Sequence, residues 1–411
     1  MKTKQISKML APLSGIMSFM FAMGVMTVPV SAQEINMANS AYEESVKTDY
    51  TTYINSTVEK NGFKVTINKL TAAKNRMNVT TTIEFPNEIT QEAINDSIFI
   101  FTVKKAKLES DWGDRRIIND RTLEVNFDVA GFEDLPLNAD LRFDVIIPEY
   151  NLNAWVNVEA DISKNFNNII EKDLYMRNDN ERTTCSKMKT DILGTSLYFK
   201  EDEYNFDDVN YDNEYSDSKI LIKCDDKLYE FDDTDYNYNS GNGIEGKYTC
   251  SSLTYDILDN AKSVILIPLI CNITNKEIQD IYNSEEYNED DYINTNDNIR
   301  YKKKFKFDDG KDGEVTKVER SDDKVIFYIS TDSEKKSMLM ASGINGWAWN
   351  EEDRYNNSEP EKIIYKDPDS DHGYIIQFNN VSKDSNFNMW TDELILGYSS
   401  CFEMGNEVTV K

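Results

Sequence analysis

A chain of 411 residues with 45 basic and 74 acidic side chains carries a formal charge of −29 and a single histidine. At roughly 150 residues per domain, that length allows two or three domains, and 39% hydrophobic content with 11% aromatics gives each enough for a core, so disorder throughout is excluded. A body this acidic repels phosphate backbones and anionic lipid, which argues against nucleic acid or a membrane surface as partner and leaves cations, polycations and neutral glycans.

Lys2, Lys4 and Lys8 precede an apolar run from Met9 to Val30 that ends in Val30-Ser31-Ala32. Residues 1–32 therefore read as a signal peptide or a membrane anchor: a positive start, an apolar centre and a small-residue cleavage site. The run exceeds the usual signal-peptide centre of about 7–15 residues and also reaches the roughly 20 needed to span a bilayer. The cleavage site favours removal after Ala32. Either way the lysines hold the start inside and the remainder is expected outside the cytoplasm, secreted or tethered, with residues 9–30 as the membrane contact if they are retained.

Beyond the leader, apolar residues alternate with polar ones, the mark of half-buried strands. Phe63, Val65 and Ile67 form one such face; Met77, Val79, Thr81, Ile83 and Phe85 a second; Leu123, Val125, Phe127 and Val129 a third; Leu141, Phe143, Val145 and Ile147 a fourth. Turn clusters such as Lys60-Asn61-Gly62 separate them. A polar, weakly helical stretch around Ser163–Glu181 follows. Strands are then predicted at Thr195–Phe199, Lys219–Lys223, Leu228–Phe231, Tyr248–Leu253 and Ser263–Thr274. After the polar segment Asn283–Asn298, the last block offers Glu314–Arg320, Lys324–Ser330, Tyr374–Phe378, Glu393–Leu396 and Glu407–Lys411. The expected fold is all-β, with three tandem immunoglobulin-like β-sandwich domains at 45–164, 183–284 and 300–411. Asn61–Val79 and Asp312–Phe327 share a grammar of glycine, short strand, charged turn and apolar strand, which suggests an internal repeat.

Five cysteines, at 185, 224, 250, 271 and 401, allow disulfides in an exported protein or buried free thiols, and the sequence leaves both open. A structural zinc site is not expected, because no Cys-x-x-Cys pair or Cys/His cluster occurs.

With strands in place, Asn61–Glu84 (NGFKVTINKLTAAKNRMNVTTTIE) resembles the opening hairpin of an exported domain of unknown function in Gram-positive bacteria. That domain is often found in membrane-anchored proteins encoded beside extracytoplasmic sigma factors. Leu152–Ser163 (LNAWVNVEADIS) is similar to its closing strand, with Trp155 as the tryptophan. Met188–Phe199, Lys219–Phe231 and Leu258–Ile270 resemble the domain that usually follows. The resemblance spans about residues 45–275, records strand edges and turns with no catalytic signature, and implies an extracytoplasmic sensory or regulatory β-sandwich ectodomain. Only eight residues precede the apolar run, too few to hold a sigma factor, so a direct anti-sigma role is not expected.

Chemistry-bearing clusters are few. Asp367, Asp369 and Asp371 alternate in Asp367-Pro368-Asp369-Ser370-Asp371-His372-Gly373 and could converge on calcium, although glycine is seventh and Phe378 twelfth where an EF-hand needs glycine sixth and glutamate twelfth. A solvated hairpin turn explains the same residues more simply, as it does for Asp308–Glu314. Acidic, tyrosine-bearing stretches at Glu201–Asp217 and Glu285–Asp297 read as solvated insertions. Trp347 and Trp349 share a face if extended and could stack on sugar rings, but tryptophan is mostly buried, so the third core is their expected place. His372 lies in a polar turn without a nucleophile motif, which argues against a His-dependent hydrolase. No phosphate-cradling glycine loop occurs.

The sequence thus points to a non-enzymatic extracytoplasmic binding or sensing ectodomain, whose partner is an envelope or cell-wall component or another extracellular ligand. A calcium-dependent adhesion or glycan-binding protein is the alternative, and a carboxylate-dependent glycosidase the third reading. No cofactor is expected other than calcium.

Overall fold

The computed structural model describes residues 49–411 apart from 105, 107–108, 111–112, 203–217, 232, 239–243, 283–291, 297, 351–352, 359 and 392–396. Residues 1–32, where a signal peptide or anchor is expected, the bulk of both acidic stretches and Glu393–Leu396 lie outside the described residues. Among the described residues no helix is long and apolar enough to cross a membrane.

The first block comprises β1 (Thr52–Lys60), β2 (Phe63–Ala72), β3 (Arg76–Glu84), α1 (Gln91–Asn95), β4 (Ile98–Val103), β5 (Glu109–Ser110), β6 (Asp114–Asn119), β7 (Thr122–Ala130), β8 (Asn138–Ile147) and β9 (Leu152–Asp161). One sheet runs β1-β2-β3-β7-β5, with β6 also on β7, and the other runs β4-β8-β9. Their facing sides are the four alternating rows read from the sequence, and each residue of those rows is buried. Asn61 and Gly62 link β1 to β2 with φ of 54° and 83°, the left-handed pair that a two-residue hairpin turn requires.

The second block contributes β10 (Ile169–Asn178), β11 (Thr183–Asp191), β12 (Gly194–Glu201), β13 (Lys219–Cys224), β14 (Lys227–Glu230), β15 (Asp233–Tyr238), β16 (Ile244–Cys250), α2 (Tyr255–Asn260), β17 (Val264–Cys271) and α3 (Asn275–Tyr282). The third contributes β18 (Tyr292–Asn296), β19 (Ile299–Lys302), β20 (Lys304–Lys306), β21 (Asp312–Arg320), β22 (Lys324–Ser330), α4 (Glu334–Gly343), β23 (Ile344–Asn350), β24 (Asp353–Ser358), β25 (Lys362–Lys366), β26 (Tyr374–Asn379), β27 (Asn386–Thr391), β28 (Phe402–Met404) and β29 (Val408–Thr409). The fold is mostly β, built from open and largely antiparallel sheets; β19 and β27 pair in parallel.

Two expectations need correction. Ser163–Glu181 is not helical: after a single 3-10 turn at Ser163–Asn165 it forms β10, an edge strand whose pairing with β11 supplies the backbone partners that local propensity does not. The second and third blocks are also not separate sandwiches. A 10-stranded sheet runs β20-β21-β22-β26-β25-β14-β13-β17-β28, with β29 also on β17, and crosses from one block to the other where Lys227 pairs with Tyr365 and Leu228 with Ile364. Its middle strands are covered on both faces. Ile222, Cys224, Tyr229, Val264 and Leu266 enter one core with Met188, Leu197 and Phe199. Leu221, Leu228, Ile267 and Leu269 enter another with Phe327, Met338 and Phe378. Burial on both sides is why Val264–Cys271 has no polar side chain on either face and does not alternate.

The repeat extends to the middle block. In β2/β3, β11/β12 and β21/β22 a bulge leaves one polar residue unpaired: Asn68, Ser186 and Thr316. The residue before each bulge pairs with one fourteen positions later (Ile67 with Thr81, Cys185 with Phe199, Val315 with Ile329), and a lysine follows each bulge (Lys69, Lys187, Lys317). A bulge increases local twist, so the three hairpins present the same bend to the sheets that cover them.

A buried ion pair joins the first block to the second. Arg76 Nη2 lies 2.9 Å from Asp191 Oδ1, with side chains only 9% and 5% exposed, and Arg76 Nε donates to both carboxylate oxygens at 3.2 Å. Asp191 Oδ1 also accepts from the Leu193 backbone N–H at 2.7 Å. Beside it Asn75 Nδ2 donates to the Tyr198 hydroxyl at 2.8 Å. Burial pushes the Tyr198 phenol up to about 12. Removing one member leaves an uncompensated buried charge, so Asp191→Ala is expected to lower the unfolding free energy by about 3–5 kcal/mol in urea titration. A loss below about 1 kcal/mol would show that the pair does not hold the two blocks together.

All five cysteines are free thiols, and all but Cys401 are buried. Burial pushes Cys185 up to about 12 and Cys224 up to about 11, so neither supplies appreciable thiolate near neutral pH. At pH 8 a thiol-reactive dye is therefore expected to modify Cys401 first and the other four only after denaturant is added. Rapid native labelling of Cys185 would contradict this.

Candidate functional site

The outer sheet of the third block runs β18-β19-β27-β23-β24. On β23, Ile344, Gly346 and Ala348 face the core, while Trp347 is exposed and Trp349 half-buried. Large residues outward and small ones inward invert the usual pattern. The cause lies across the strand: Phe387 is buried over β23, and a Cβ at Gly346 would come within 2.2 Å of its ring. The opposing aromatic fills the core and the glycine makes room for it. Sharing a face is as expected for Trp347 and Trp349, but their burial in the third core is not observed, and Trp347 is 44% exposed.

The register of β23 with β27 organises this outer face. Trp349 lies opposite Asn386, Trp347 opposite Asn388, and Asn345 opposite Trp390. Phe387 and Met389 point inward, which leaves Asn386, Asn388 and Trp390 on the same side as the two tryptophans of β23. Each indole is thus paired across the strand with an amide, at the separation of about 4.5–5.5 Å typical of cross-strand neighbours. Trp390 escaped the sequence reading although its segment carries the signal: Asn386-Phe387-Asn388-Met389-Trp390 alternates with period two. On the far side of β27, Arg300 pairs with Asn388. At the other end Asn345 Oδ1 accepts from Lys362 Nζ at 3.4 Å, and that lysine donates to the Ser342 carbonyl at 2.9 Å and lies 3.1 Å from Glu230. Burial lowers the Lys362 pKa against the pull of Glu230. This contact pins the outer sheet to the 10-stranded one.

Trp155 on β9 is equally exposed at 45%, but cations already engage its ring: Lys60 Nζ lies 5.5 Å and the Arg142 guanidinium 5.4 Å from its centroid.

Asp367, Asp369 and Asp371 sit on the turn between β25 and β26. The Asp367 carboxylate accepts from the Asp369 backbone N–H at 2.9 Å, and Gly373 N–H donates to Ser370 Oγ at 2.9 Å, so the turn is closed by its own side chains. His372 is exposed. In the second acidic turn, Asp308 accepts from the Ser399 hydroxyl and the Ser400 N–H, and Asp309 from Lys336 Nζ at 2.6 Å. These carboxylates tie α4 and the Ser399–Cys401 segment to the turn. Among the described residues no three carboxylate, thiol or imidazole groups converge as a metal site requires. A cavity of about 20 Å³ beside Met176, Cys185 and Pro268 has room for little more than one water.

A family model described as a domain of unknown function (DUF4179) matches residues 2–85, which take in the basic start, the apolar run and β1 to β3. The match includes Asn61–Glu84, the first of the segments that carry the sequence resemblance. No curated protein matches. Among solved structures the chain is similar to a conserved domain protein from Bacillus anthracis, with 16% identity and a TM-score of 0.41 over 60% of this chain and 83% of that one.

Because Asp367 is spent on its own turn and no three ligand groups converge among the described residues, chelator is expected to leave the melting temperature unchanged to within about 1 °C, well below the roughly 2–4 °C that 1 kcal/mol moves a domain of 150–250 residues. A calcium-dependent rise that disappears in Asp369→Ala and Asp371→Ala would instead establish a cation site there.

Proposed function

We propose that this protein is a non-enzymatic binding or sensing ectodomain of the cell envelope, secreted or tethered outside the cytoplasm, that holds its partner on the outer face of β23 and β27. One observation carries this reading. Trp347 stands 44% exposed beside Trp349 and Trp390 on a rigid sheet, while smaller residues of the same strand fill the core. An exposed indole flanked by half-buried ones on one sheet face marks a recognition surface, because indoles combine a large apolar area with a polar edge and little rotamer freedom.

The placement outside the cytoplasm rests on the basic and apolar leader ending at Ala32. The non-enzymatic character rests on the sequence, which carries no nucleophile motif and no phosphate-cradling loop; in the acidic turn beside α4, two carboxyl groups act as structural partners. Hydrogen bonds from Lys336 Nζ and the Lys311 backbone N–H hold Asp309 below the usual carboxylate range, and one from the Lys311 side chain does the same for Asp332. Such groups are ionised structural partners, whereas a general acid has its pKa raised. In its finer form the reading makes the two-layer units immunoglobulin-like and couples binding to an extracytoplasmic sigma factor, the latter on the resemblance carried by Asn61–Glu84.

Purified full-length protein mixed with isolated envelope fragments is expected to co-sediment. Trp347→Ala should reduce the bound fraction about tenfold, equivalent to about 1.4 kcal/mol, while Trp155→Ala should not. Equal retention of Trp347→Ala and wild type would place the binding surface elsewhere.

A further inference from the structure

We infer that the ligand of this face is an extended, neutral, equatorially linked polysaccharide chain. The inference rests on the reading of β23 and β27 as the binding surface and names what that surface takes. Three properties of the face point to this chemistry. Along β23 the outward side chains recur about every 6.6–6.8 Å, the two-residue repeat of a strand. Trp347 and Trp349 thus place two successive indoles, the first exposed and the second half-buried, on the length scale of one pyranose ring. A sugar whose linkages and hydroxyls are equatorial exposes axial C–H bonds on its flat faces, which pack on an indole ring as an aliphatic surface does.

Next to these plates lie groups suited to hydroxyls. Asn388 lies opposite Trp347 and Asn386 opposite Trp349. Each amide carries two N–H donors and an acceptor oxygen, matching hydroxyls that both donate and accept. A purely apolar partner, such as a second protein surface with an aliphatic core, would leave these amides desolvated and unpaired.

Charge makes the third argument. The chain holds 74 acidic residues, yet the described outward side chains of β19, β23 and β27 include no carboxylate; Arg300 and Lys302 lie at the margin. An anionic polymer would meet favourable groups only at that margin and the field of a body at −29 everywhere else. A neutral chain escapes that field. Trp155 illustrates the contrast: Lys60 and Arg142 crowd its ring, which suits it to a structural role.

The test uses the full chain with cellohexaose and chitohexaose as soluble probes, titrated by calorimetry and by tryptophan fluorescence. Binding of either hexasaccharide, weakened at least tenfold in Trp347→Ala and in Trp390→Ala, restored in part by Trp347→Tyr and unchanged in Trp155→Ala, is the expected result. The melting temperatures of the variants, measured in parallel, separate lost contact from lost fold; the Asn388→Ala variant, which leaves every indole in place, provides an independent reading and should also weaken binding. Absence of binding to both hexasaccharides, or binding that Trp347→Ala leaves intact, overturns the inference. If neither sugar binds while Trp347→Ala still abolishes envelope co-sedimentation, the surface is correctly placed and its ligand is of another class. Concentration-dependent dimerisation lost in Trp347→Ala would identify a second copy of the chain as the occupant and would equally overturn the polysaccharide.

Discussion

The strands β13, β14 and β17 bury both of their faces, and the remainder of the second and third blocks is arranged to make that possible. A strand covered on two sides must have its backbone groups paired along both edges, because an unpaired N–H or C=O away from water costs as much as a lost hydrogen bond. β14 finds its outer partner in β25, through Lys227 with Tyr365 and Leu228 with Ile364, and β17 finds its own in β28 and β29 from the end of the chain. The closing residues enter the middle core: Val410 packs there with Val264 and Leu266. The second block is thus completed by segments more than a hundred residues away, which explains why a linear division into separate folding units does not describe it. The first block is different in kind. Both of its sheets come from contiguous sequence, and it meets the second through a compact polar contact centred on Arg76 and Asp191.

These differences decide how much was legible. In the first block one face of each strand is solvated, so burial and hydropathy alternate together, and the rows through Phe63, Met77, Leu123 and Leu141 could be read directly. In the middle block the strand positions were visible but not their two-sided burial, since a stretch without polar side chains such as Val264–Cys271 does not say which layer covers which face. In the third block β27 carries a legible alternation from Asn386 to Met389, whereas on β23 hydropathy misleads. Gly346 and Ala348 face inward and Trp347 and Trp349 outward, an arrangement that makes sense only once Phe387 is known to lie across the strand. The tryptophan pair was found, its shared face was right, and its direction was wrong for the same reason.

The repeated hairpin shows a further limit. The first and third copies could be matched because both open with glycine and turn on charged residues. The middle copy turns on Ile192 and Leu193 between Asp191 and Gly194, where Asp191 is engaged by Arg76. Its turn sequence answers to the contact with the first block, so the local grammar has been overwritten while the register has not. What persists through all three copies is the geometry of a bulge, which is set by backbone pairing and tolerates Asn68, Ser186 or Thr316 equally.

Recognition in β-sandwiches is ordinarily carried by loops on a rigid scaffold, and the acidic turns here invite that view. Several of their carboxylates, however, are spent on the protein itself: Asp308 on Ser399 and Ser400, Asp309 on Lys336, Asp367 on the backbone of its own turn. The outer face of β23 and β27 has the opposite character. Its large side chains do not fill the core beneath them, and their spacing is fixed by strand pairing, so a ligand that matches the row meets groups whose ordering cost was met on folding. A loop would have to be ordered for each encounter. The inverted packing of Gly346 and Phe387 connects the two levels: by filling the core from β27, the fold leaves β23 able to project its tryptophans outward without opening a cavity beneath them.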